Sequence, residues 1–392
     1  MTNQHFDAIV IGAGAAGLMC ALTAGQRGRR VLLLEHAEKV GKKILISGGG
    51  RCNFTNLGCT AGNFLSENPH FAKSALARYD QHDFIALVER HRIAWHEKTL
   101  GQLFCDGSAR QIVEMLMAEC RDGGVDVRTG CHVKDVSKGD RFEVATDKGG
   151  FSADSLVLAT GGLSIPKMGA TGFAHDIARK FGLKMTQTAP ALVPLTFGGE
   201  MLELMQPLSG VSLDCRAEAG GAAFRESMLF THRGLSGPAI LQVSSYWRHG
   251  GEVTLDLLPG LDAAETLLAA KRARPKAGCR AILGELLPGR LAERLAENLP
   301  DRPAGDIADK MLAEMGRKLN GWRMFPSGTE GYAKAEVTRG GIATSELSQQ
   351  TMEAKRVPGL HAIGEAVDVT GWLGGYNFQW AWASGRAAGE AV

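Results

Sequence analysis

The 392-residue sequence lacks a strong excess of charge of either sign. Its 44 lysine and arginine residues face 42 acidic residues, which gives a formal net charge of +2. A surface so close to neutral provides no general attraction for nucleic acid or for an anionic membrane. The most basic short run, KRARPK at 271–276, lies in a mixed-charge segment and is interpreted as a solvated helix end. We therefore expect no nucleic-acid partner and no membrane partner.

The sequence also lacks an uninterrupted apolar run of about eighteen residues, the length that a membrane-spanning helix needs. A strand pattern begins by Phe6, without the basic segment and long apolar core of a secretory signal. We expect a soluble, cytoplasmic protein that is a monomer or a homodimer. The apolar fraction of 44% is enough for a sizeable core divided over two or three domains.

Paired cysteine spacings are absent as well. The eight cysteines, at positions 20, 52, 59, 105, 120, 131, 215 and 279, do not have the spacing of a zinc site, and no metal is predicted. Reduced thiols are expected in the cytosol. Cys52 and Cys59 alone suggest a redox pair, but they are seven residues apart. That spacing does not match the shorter helical pair of flavin-containing disulfide reductases.

What the sequence does contain is a glycine-rich turn near its start. The stretch FDAIVIGAGAAG at 6–17 passes from an apolar strand pattern through glycines into a small-residue helix that runs to about Arg27. In this pattern Gly12 allows the turn, Gly14 lets a pyrophosphate approach the backbone, and Gly17 lets the helix pack on the strand. The turn therefore predicts a dinucleotide-binding site.

A second apolar strand supports this interpretation. The stretch VLLLE ends at Glu35, at the distance where a carboxylate accepts hydrogen bonds from an adenosine ribose. FAD and NAD(P) present the same adenosine diphosphate half, so the motif does not choose between them. No second unit of strand, GxGxxG turn, helix and acid follows in the sequence, and a second nucleotide domain is not predicted.

Further glycine-rich segments are predicted to lie against the cofactor. The segment SGGGRCNFTN at 47–56 has no periodicity and is predicted to be neither helix nor strand. The run SLVLATGG at 155–162 predicts a buried parallel strand whose end faces the cofactor. The runs VDVRT, HVKDV and FEVAT predict a meander of strands. Lys42 is either a phosphate contact or a solvated side chain.

The middle of the chain has a different sequence pattern. Short strand-like runs joined by glycine turns fill residues 191–258 and resume at 320–339. Between them, residues 259–319 carry heptad-like leucines and alternating charges, which predict about three amphipathic helices broken at Pro288 and Pro303. We interpret the first region as a strand-rich substrate domain and the second as a helical insert that serves as a lid or packing cap.

Several motifs together resemble a known family. They occur in the order GAGAAG, LLLE, SGGGRCNFTN, ATGG with SIPKMGATG, LFTHRGLSGPAIL, EVTRGGI, TMEAKRVPGLHAIGEAVDVTG and GGYNFQWAWASG. This series resembles the YhiN/BaiN-like three-domain bacterial flavoproteins, relatives of aminoacetone oxidase. The match covers nearly the whole chain and is weakest in the helical insert. One departure is Cys105, where relatives usually carry proline.

The resemblance implies an α/β fold with FAD as the bound nucleotide. A Rossmann-type FAD-binding domain would comprise residues 1–190 and 340–392, with the strand-rich substrate domain and the helical third domain inserted in it. The implied pyrophosphate and ribose contacts are Gly12, Gly14, Ala15, Ala16, Gly17 and Glu35. The implied flavin contacts are Gly49, Gly50, Arg51, Cys52, Asn53, Gly374, Gly375, Tyr376 and Asn377. The remaining implied nucleotide or ribityl contacts are Val133, Thr160, Gly161, Gly364, Glu365 and Asp368.

The candidate catalytic residues are His232 and Tyr376, with Cys52 as a further alternative. His232 lies in LFTHRGLSGP and, with Thr231, would orient a carbonyl or amine or relay a proton. A structural histidine bonded to backbone is the alternative interpretation. The helix N-terminus that follows Gly374 and Gly375 would stabilise the negative charge of a reduced flavin.

We therefore expect an FAD-dependent oxidoreductase with a non-covalently bound flavin. It would reduce a conjugated ketone or oxidise an amine on a small-molecule substrate, with NAD(P)H as a candidate transient electron donor. An NAD(P)-linked disulfide-type reductase is an alternative, against which the cysteine spacing and the missing second nucleotide motif both argue. A flavin-binding redox module without turnover is a further alternative, because cofactor motifs indicate binding and do not establish chemistry.

Overall fold

The computed structural model describes residues 4–392. The chain divides into two compact units. The first is formed by both ends of the chain, Met1–Ala189 and Val337–Val392, and the second is Pro190–Glu336. The assignment of residues 1–190 and 340–392 to an FAD-binding domain stays a prediction. The helices of residues 259–319 belong to the second unit, and the division into three domains stays a prediction.

A seven-stranded sheet forms the centre of the first unit. Its strands, in spatial order, are Asp126–Arg128, Val31–Leu34, Gln4–Ile11, Gly149–Leu158, Phe142–Thr146 and Val133–Lys138, and Leu360–Ala362 also pairs with Gly149–Leu158. Pairing is parallel around Gln4–Ile11 and antiparallel in the hairpins of residues 133–158. The parallel strands Val31–Leu34 and Leu360–Ala362 are buried along their length, as expected where helices cover the sheet.

One predicted strand has a different place from the one expected. The run VDVRT was expected in the meander with the two runs that follow it. Its strand Asp126–Arg128 instead pairs in parallel with Val31–Leu34 at the other edge of the sheet. The helix Arg110–Asp122 precedes it, and a crossover helix of this kind returns the chain in the parallel direction.

The first unit contains seven helices in the described residues. They are Ala15–Gln26, Lys42–Ile46, Lys73–Arg78, Gln81–Arg90, Arg110–Asp122, Phe173–Lys180 and Tyr376–Gly389. Shorter strands lie outside the sheet at Asn53–Asn56, Phe64–Leu65, Trp95–Glu97, Gln102–Cys105 and Thr370–Gly371. We call Ala15–Gln26 the first helix and Tyr376–Gly389 the final helix.

The prediction that residues 47–56 form neither helix nor strand was wrong. Ser47–Gly50 form a short 3-10 turn, and Asn53–Asn56 form a strand that pairs antiparallel with Gln102–Cys105. Phe54 in this strand is fully buried, and its carbonyl accepts the indole N–H of Trp382 at 2.8 Å. Tertiary partners therefore outweigh the weak strand propensity of the sequence.

The second unit is built on another seven-stranded sheet. In spatial order its strands are Trp322–Met324, Val253–Asp256, Ser212–Ala219, Ala222–Thr231, Gly234–Ser236, Leu195–Thr196 and Gly328–Thr329. All neighbours are antiparallel. The two edge strands are joined by residues 325–327, a span of at most about 14 Å between Met324 and Gly328. The sheet therefore curls until its edges approach each other.

The second unit contains six helices in the described residues, two before the strand Val253–Asp256 in the sequence and four after it. They are Gly199–Met205, Pro238–Ser244, Ala263–Ala273, Cys279–Gly284, Gly289–Ala296 and Asp309–Asn320. The helical segment thus contains four helices where about three were expected. Pro288 and Pro303 lie between helices, as expected, and stand at the N-terminal ends of a helix and of a 3-10 turn. Proline is compatible with these positions because its missing N–H has no helical partner there.

The packing of the final helix yields a stability prediction. Trp382 is fully buried, and its ring stacks on Phe84 with centroids 4.3 Å apart. We expect Trp382→Ala to lower the free energy of unfolding by about 3–5 kcal/mol, because it removes a large buried ring and leaves a cavity. Urea unfolding followed by circular dichroism measures this change. Leu100→Ala is the control, since Leu100 is 66% exposed, and it should change the value by less than about 0.5 kcal/mol.

Candidate functional site

The predicted glycine turn forms a cradle that excludes side chains on one side and is open on the other. Gly12 has a φ of 106°, and a Cβ there would lie 2.6 Å from the Ala159 carbonyl oxygen. A Cβ at Gly17 would lie 1.8 Å from the Gly12 oxygen, so helix and strand meet at a distance that only glycine permits. A Cβ at Gly14 would meet no atom within 4 Å. The first helix begins at Ala15, and its unpaired N–H groups suit a pyrophosphate.

Glu35 lies beside this cradle with its carboxylate already fixed. One carboxylate oxygen accepts the Ala13 N–H at 2.8 Å and the other accepts the Ala37 N–H at 2.9 Å. The oxygen bound by Ala37 also lies 3.1 Å from His36 Nδ1, whereas the oxygen bound by Ala13 retains a second acceptor site for a ribose hydroxyl. The Glu35 carbonyl also accepts the Cys131 N–H at 2.9 Å, which brings the start of the Val133–Lys138 strand near the same place. This geometry suits the roles expected of Glu35 and Val133.

Glu365 is held by the protein in a way that the sequence did not predict. Its carboxylate accepts Lys43 Nζ at 2.7 Å, Ser164 Oγ at 2.6 Å and the Thr338 N–H at 3.0 Å. Burial raises the pKa of this carboxyl, but the Lys43 charge and the hydrogen bonds outweigh it and hold the pKa below the ordinary value. Glu365 is therefore charged at neutral pH. It fixes the loop after Leu360–Ala362 in place.

Gly364, which precedes this carboxylate, brings the loop against the first helix. It has a φ of 64°, and a Cβ there would lie 2.9 Å from the Ala16 Cβ. The sequence missed Lys43, Ser164 and Thr338 as partners of Glu365. The available signal was small: Ser164 follows ATGG and Thr338 lies in EVTRGG, where polar residues stand beside strand-ending glycines.

The residues expected around the flavin ring also lie together. The final helix starts after Gly375, where a Cβ would lie 2.3 Å from the Thr55 carbonyl oxygen. A Cβ at Gly374 would lie 2.9 Å from the Gln102 side chain. Asn56 Nδ2 donates to the Gly374 carbonyl at 3.0 Å. The N-terminus of the final helix therefore packs tightly on the Asn53–Asn56 strand, and Gln102 and Asn56 are contacts that the sequence did not predict.

Tyr376 and Asn377 form part of the packing at this helix start. Tyr376 is buried, with its ring centroid 6.4 Å from that of Phe64 and 6.0 Å from that of Trp372. The Asn377 side chain accepts the Gly371 N–H at 2.8 Å and donates to the Gly371 carbonyl at 2.9 Å. Asn377 thus fixes the turn before the helix. Its role as a flavin contact stays a prediction.

The segment expected on the other side of the flavin has an unusual backbone. Gly49 and Gly50 adopt left-handed conformations, and a Cβ at Gly49 would meet no atom within 4 Å. Arg51 is exposed, whereas Cys52 is fully buried and has a φ of 53°. Burial raises the pKa of the Cys52 thiol far above its ordinary value. The thiol is therefore protonated at neutral pH, which argues against a thiolate role for Cys52.

Three further predicted contacts, Thr160, Gly161 and Lys42, also lie in the first unit. The Thr160 hydroxyl accepts the Ala174 N–H at 3.2 Å and so caps the helix Phe173–Lys180, and Gly161 follows with a φ of 76°. Lys42 Nζ donates to the Met168 carbonyl at 3.4 Å.

Asp368 is hydrogen-bonded to backbone of the first unit. The Asp368 carboxylate accepts the Glu67 N–H at 2.9 Å, and burial raises its pKa above the ordinary value. Asp368 therefore ties the loop before Thr370–Gly371 to the segment around Glu67.

His232 lies in the second unit, exposed in the turn after Ala222–Thr231. Its catalytic role stays a prediction.

Comparison with known proteins places this site in a family context. The family model of the HI0933-like protein Rossmann domain matches residues 6–391. A ribosomal RNA dihydrouridine synthase of Escherichia coli is 52% identical over 99% of this chain and 98% of its own length. One of Haemophilus influenzae is 45% identical over 100% and 99%. A 3-dehydro-bile acid delta(4,6)-reductase of Clostridium scindens is 31% identical over 98% of both chains.

Solved structures resemble the fold at low sequence identity. A quinol-fumarate reductase has a TM-score of 0.53 and 17% identity, covering 100% of this chain and 71% of its own. A 3-ketosteroid-delta4-(5alpha)-dehydrogenase from Rhodococcus jostii has a TM-score of 0.50 and 15% identity, covering 98% and 97%. Among residues 4–392, no helix has the length and apolar character needed to cross a membrane.

The open side of the glycine cradle gives a matched pair of variants. Gly14→Ala adds a methyl group where no protein atom stands, so the apoprotein should keep its melting temperature while FAD affinity falls by about tenfold or more, as the pyrophosphate loses its approach to the backbone. Flavin fluorescence titration of the apoprotein measures the affinity. Gly139→Ala is the control, because a Cβ at Gly139 also meets nothing within 4 Å. Equal FAD affinity in the two variants would contradict the placement of the pyrophosphate.

The Glu365 contacts predict a pH dependence of stability. Because the folded-state pKa is lowered, the charged carboxylate stabilises the fold above the ordinary pKa, about 4.3, and this contribution is lost as the pH falls through the folded value. Glu365→Gln should therefore cost about 1–3 kcal/mol in the apoprotein at pH 7 and less at acid pH. Urea unfolding over a pH series measures the difference. Glu114→Gln, at an exposed position, is the control, and a pH-independent loss in Glu365→Gln would refute the assignment.

Proposed function

Because the chain belongs to the HI0933-like family of Rossmann-fold flavoproteins, we propose that it reduces uridine to dihydrouridine in ribosomal RNA with bound FAD. The family match confirms the resemblance, the Rossmann-type fold and the FAD cofactor inferred from the motifs. The observation that carries the proposed substrate is the 52% identity, over nearly the full length of both chains, with a ribosomal RNA dihydrouridine synthase. The relative at 45% identity has the same name.

The chemistry of this reaction agrees with the class of substrate expected from the sequence. Uridine gains a hydride at C6 and a proton at C5, and its C5=C6 double bond becomes a single bond. That double bond is conjugated with the C4 carbonyl, so it is an electron-poor alkene like that of a conjugated ketone. The relative at 31% identity is named as a reductase of a 3-dehydro-bile acid, a carbonyl compound. NADH or NADPH supplies the two electrons in our proposal.

The residues of this chain have separate tasks in the proposed reaction. FAD, when bound, supplies hydride transfer. The glycine cradle and the N-terminus of the first helix would hold its pyrophosphate, and Glu35 would accept a hydrogen bond from its ribose. The N-terminus of the final helix would offer backbone N–H groups and a partial positive charge to the flavin ring. His232 and Tyr376 remain the candidates for delivering the proton to C5.

This proposal departs from our expectation of a small-molecule substrate and no nucleic acid. Near-neutral net charge argues against strong non-specific binding to nucleic acid. It does not argue against binding of RNA by a local surface of the protein. The disulfide-type reductase has little support, because all eight cysteines are buried free thiols. Reduction of a small conjugated ketone is the second candidate function, and the bile acid reductase relative favours it.

The proposed function is tested with protein that contains FAD. The substrate is ribosomal RNA from a strain that lacks the corresponding gene, with NADPH or NADH as reductant. We expect dihydrouridine after digestion to nucleosides, detected by mass spectrometry as uridine with two added hydrogens, and its amount should match the nicotinamide oxidised. Gly14→Ala should form much less product at limiting FAD. Rapid reduction of a small conjugated ketone with unchanged RNA would instead favour the second candidate, and peroxide release with an amine would indicate an oxidase.

A further inference from the structure

Two connections of the second unit lie side by side at one end of its sheet. The first is the turn of His232 and Arg233, and the second is the connection of residues 325–327. Thr196 pairs with both Gly234 and Gly328, which places these connections two strand spacings, about 10 Å, apart.

Backbone hydrogen bonds fix both connections to the strand between them. The Phe197 N–H donates to the Arg233 carbonyl at 3.0 Å. The Ser327 N–H donates to the Thr196 carbonyl at 2.8 Å, and the Ser327 hydroxyl donates to the same oxygen at 3.1 Å. These bonds hold the backbone of both connections at the same strand end, and His232, Arg233 and Phe325 are exposed residues of the two connections. We call these three residues the strand-end surface.

Phe325 is the aromatic component of the strand-end surface. Its side chain is 61% exposed, and it is the one aromatic residue among the exposed large apolar residues of 4–392. Its neighbours Met324 and Pro326 are buried, whereas Arg323 and Ser327 are exposed. This alternation turns the Phe325 ring outward. A single exposed ring is common on protein surfaces, so its meaning depends on the charges beside it.

Arg233 differs from the other exposed arginines of this sheet. Those arginines have carboxylate partners, in the pairs Arg216–Glu218, Arg225–Asp214 and Arg323–Glu252. For Arg233, no ion pair with an acidic residue occurs within the part of the chain that the structure describes. Its guanidinium, next to the exposed His232, is thus available to an anionic group from outside the chain. A planar guanidinium suits a phosphate, which it binds through two parallel N–H groups.

We propose that the strand-end surface binds an unpaired segment of RNA, with a base stacked on Phe325 and a neighbouring phosphate bound by Arg233. Stacking on aromatic side chains together with cationic contacts to the backbone is the usual mode for single-stranded RNA. In a duplex the base faces are covered by their neighbours, so the occupant is a loop or other unpaired stretch. The inference rests on the proposed function, because it supplies an RNA contact for an enzyme that modifies RNA.

The experiment measures RNA binding by full-length protein with FAD bound. The probe is a short, fluorescein-labelled, uridine-rich single strand, and fluorescence anisotropy is recorded over a series of salt concentrations. Phe325→Ala should weaken binding about 5- to 100-fold, and Phe325→Trp should retain it, because tryptophan also stacks on bases. Arg233→Gln should weaken binding and reduce the slope of log K against log salt by about 0.7, the value for one phosphate contact on a single strand.

Matched controls lie in the same unit. Leu261→Ala removes an apolar side chain that is 50% exposed outside the strand-end surface. Arg225→Gln removes an arginine that is paired with Asp214. Both should bind the probe like the unmodified protein, and circular dichroism with flavin content should show that all variants are folded and loaded.

The following outcomes would refute the strand-end surface, alone or together with the proposed function. If the unmodified protein binds the probe and forms dihydrouridine, while Phe325→Ala and Arg233→Gln bind equally well, the strand-end surface is refuted and the proposed function stands. Equal weakening by the control variants would also refute it. If the unmodified protein neither binds the probe nor modifies ribosomal RNA, the proposed function fails and this inference fails with it.

Discussion

The close packing of the first helix against the final helix is the contact on which the cofactor site depends. A Cβ at Gly385 would lie 2.5 Å from the Ala16 carbonyl oxygen, and one at Gly389 would lie 2.6 Å from the Cys20 oxygen. Only glycine allows the two backbones to approach so closely. Because these helices come from opposite ends of the chain, their contact brings the glycine turn and the C-terminal glycines into one unit. The predicted cofactor contacts from the two ends of the chain therefore lie in one compact unit.

Glycines stand at several other close contacts around the site. Gly12, Gly17, Gly364 and Gly375 each stand where a Cβ would collide with backbone or with a neighbouring side chain, whereas Gly14 and Gly49 face open space. The first group allows close packing and the second leaves room for a ligand. Polar groups then fix the geometry, since the carboxylates of Glu35 and Glu365 accept hydrogen bonds from the protein before any ligand is considered.

The sequence was informative where local chemistry decides structure, and less so where distant partners decide it. The strand, glycine turn and helix at residues 6–27 follow from local pattern, and so does the start of the final helix at Tyr376. The strand Asn53–Asn56 could not be predicted, because it depends on pairing with Gln102–Cys105 and on the buried Trp382. The partners of Glu365 were also missed, since Lys43 is 322 residues away in the sequence. The proposed substrate rests on relatives, because the expectation of no nucleic-acid partner was based on net charge, which gives no information about a local surface.

The most direct test of the central claim is a single turnover without oxygen. Protein with its FAD fully reduced, and with no free nicotinamide, is mixed with unmodified ribosomal RNA while the flavin absorbance is followed. We expect reoxidation of the flavin with one dihydrouridine formed for each flavin oxidised, because two electrons pass to one C5=C6 bond. A flavin that stays reduced with this RNA, yet is reoxidised at once by a small conjugated ketone, would contradict the account.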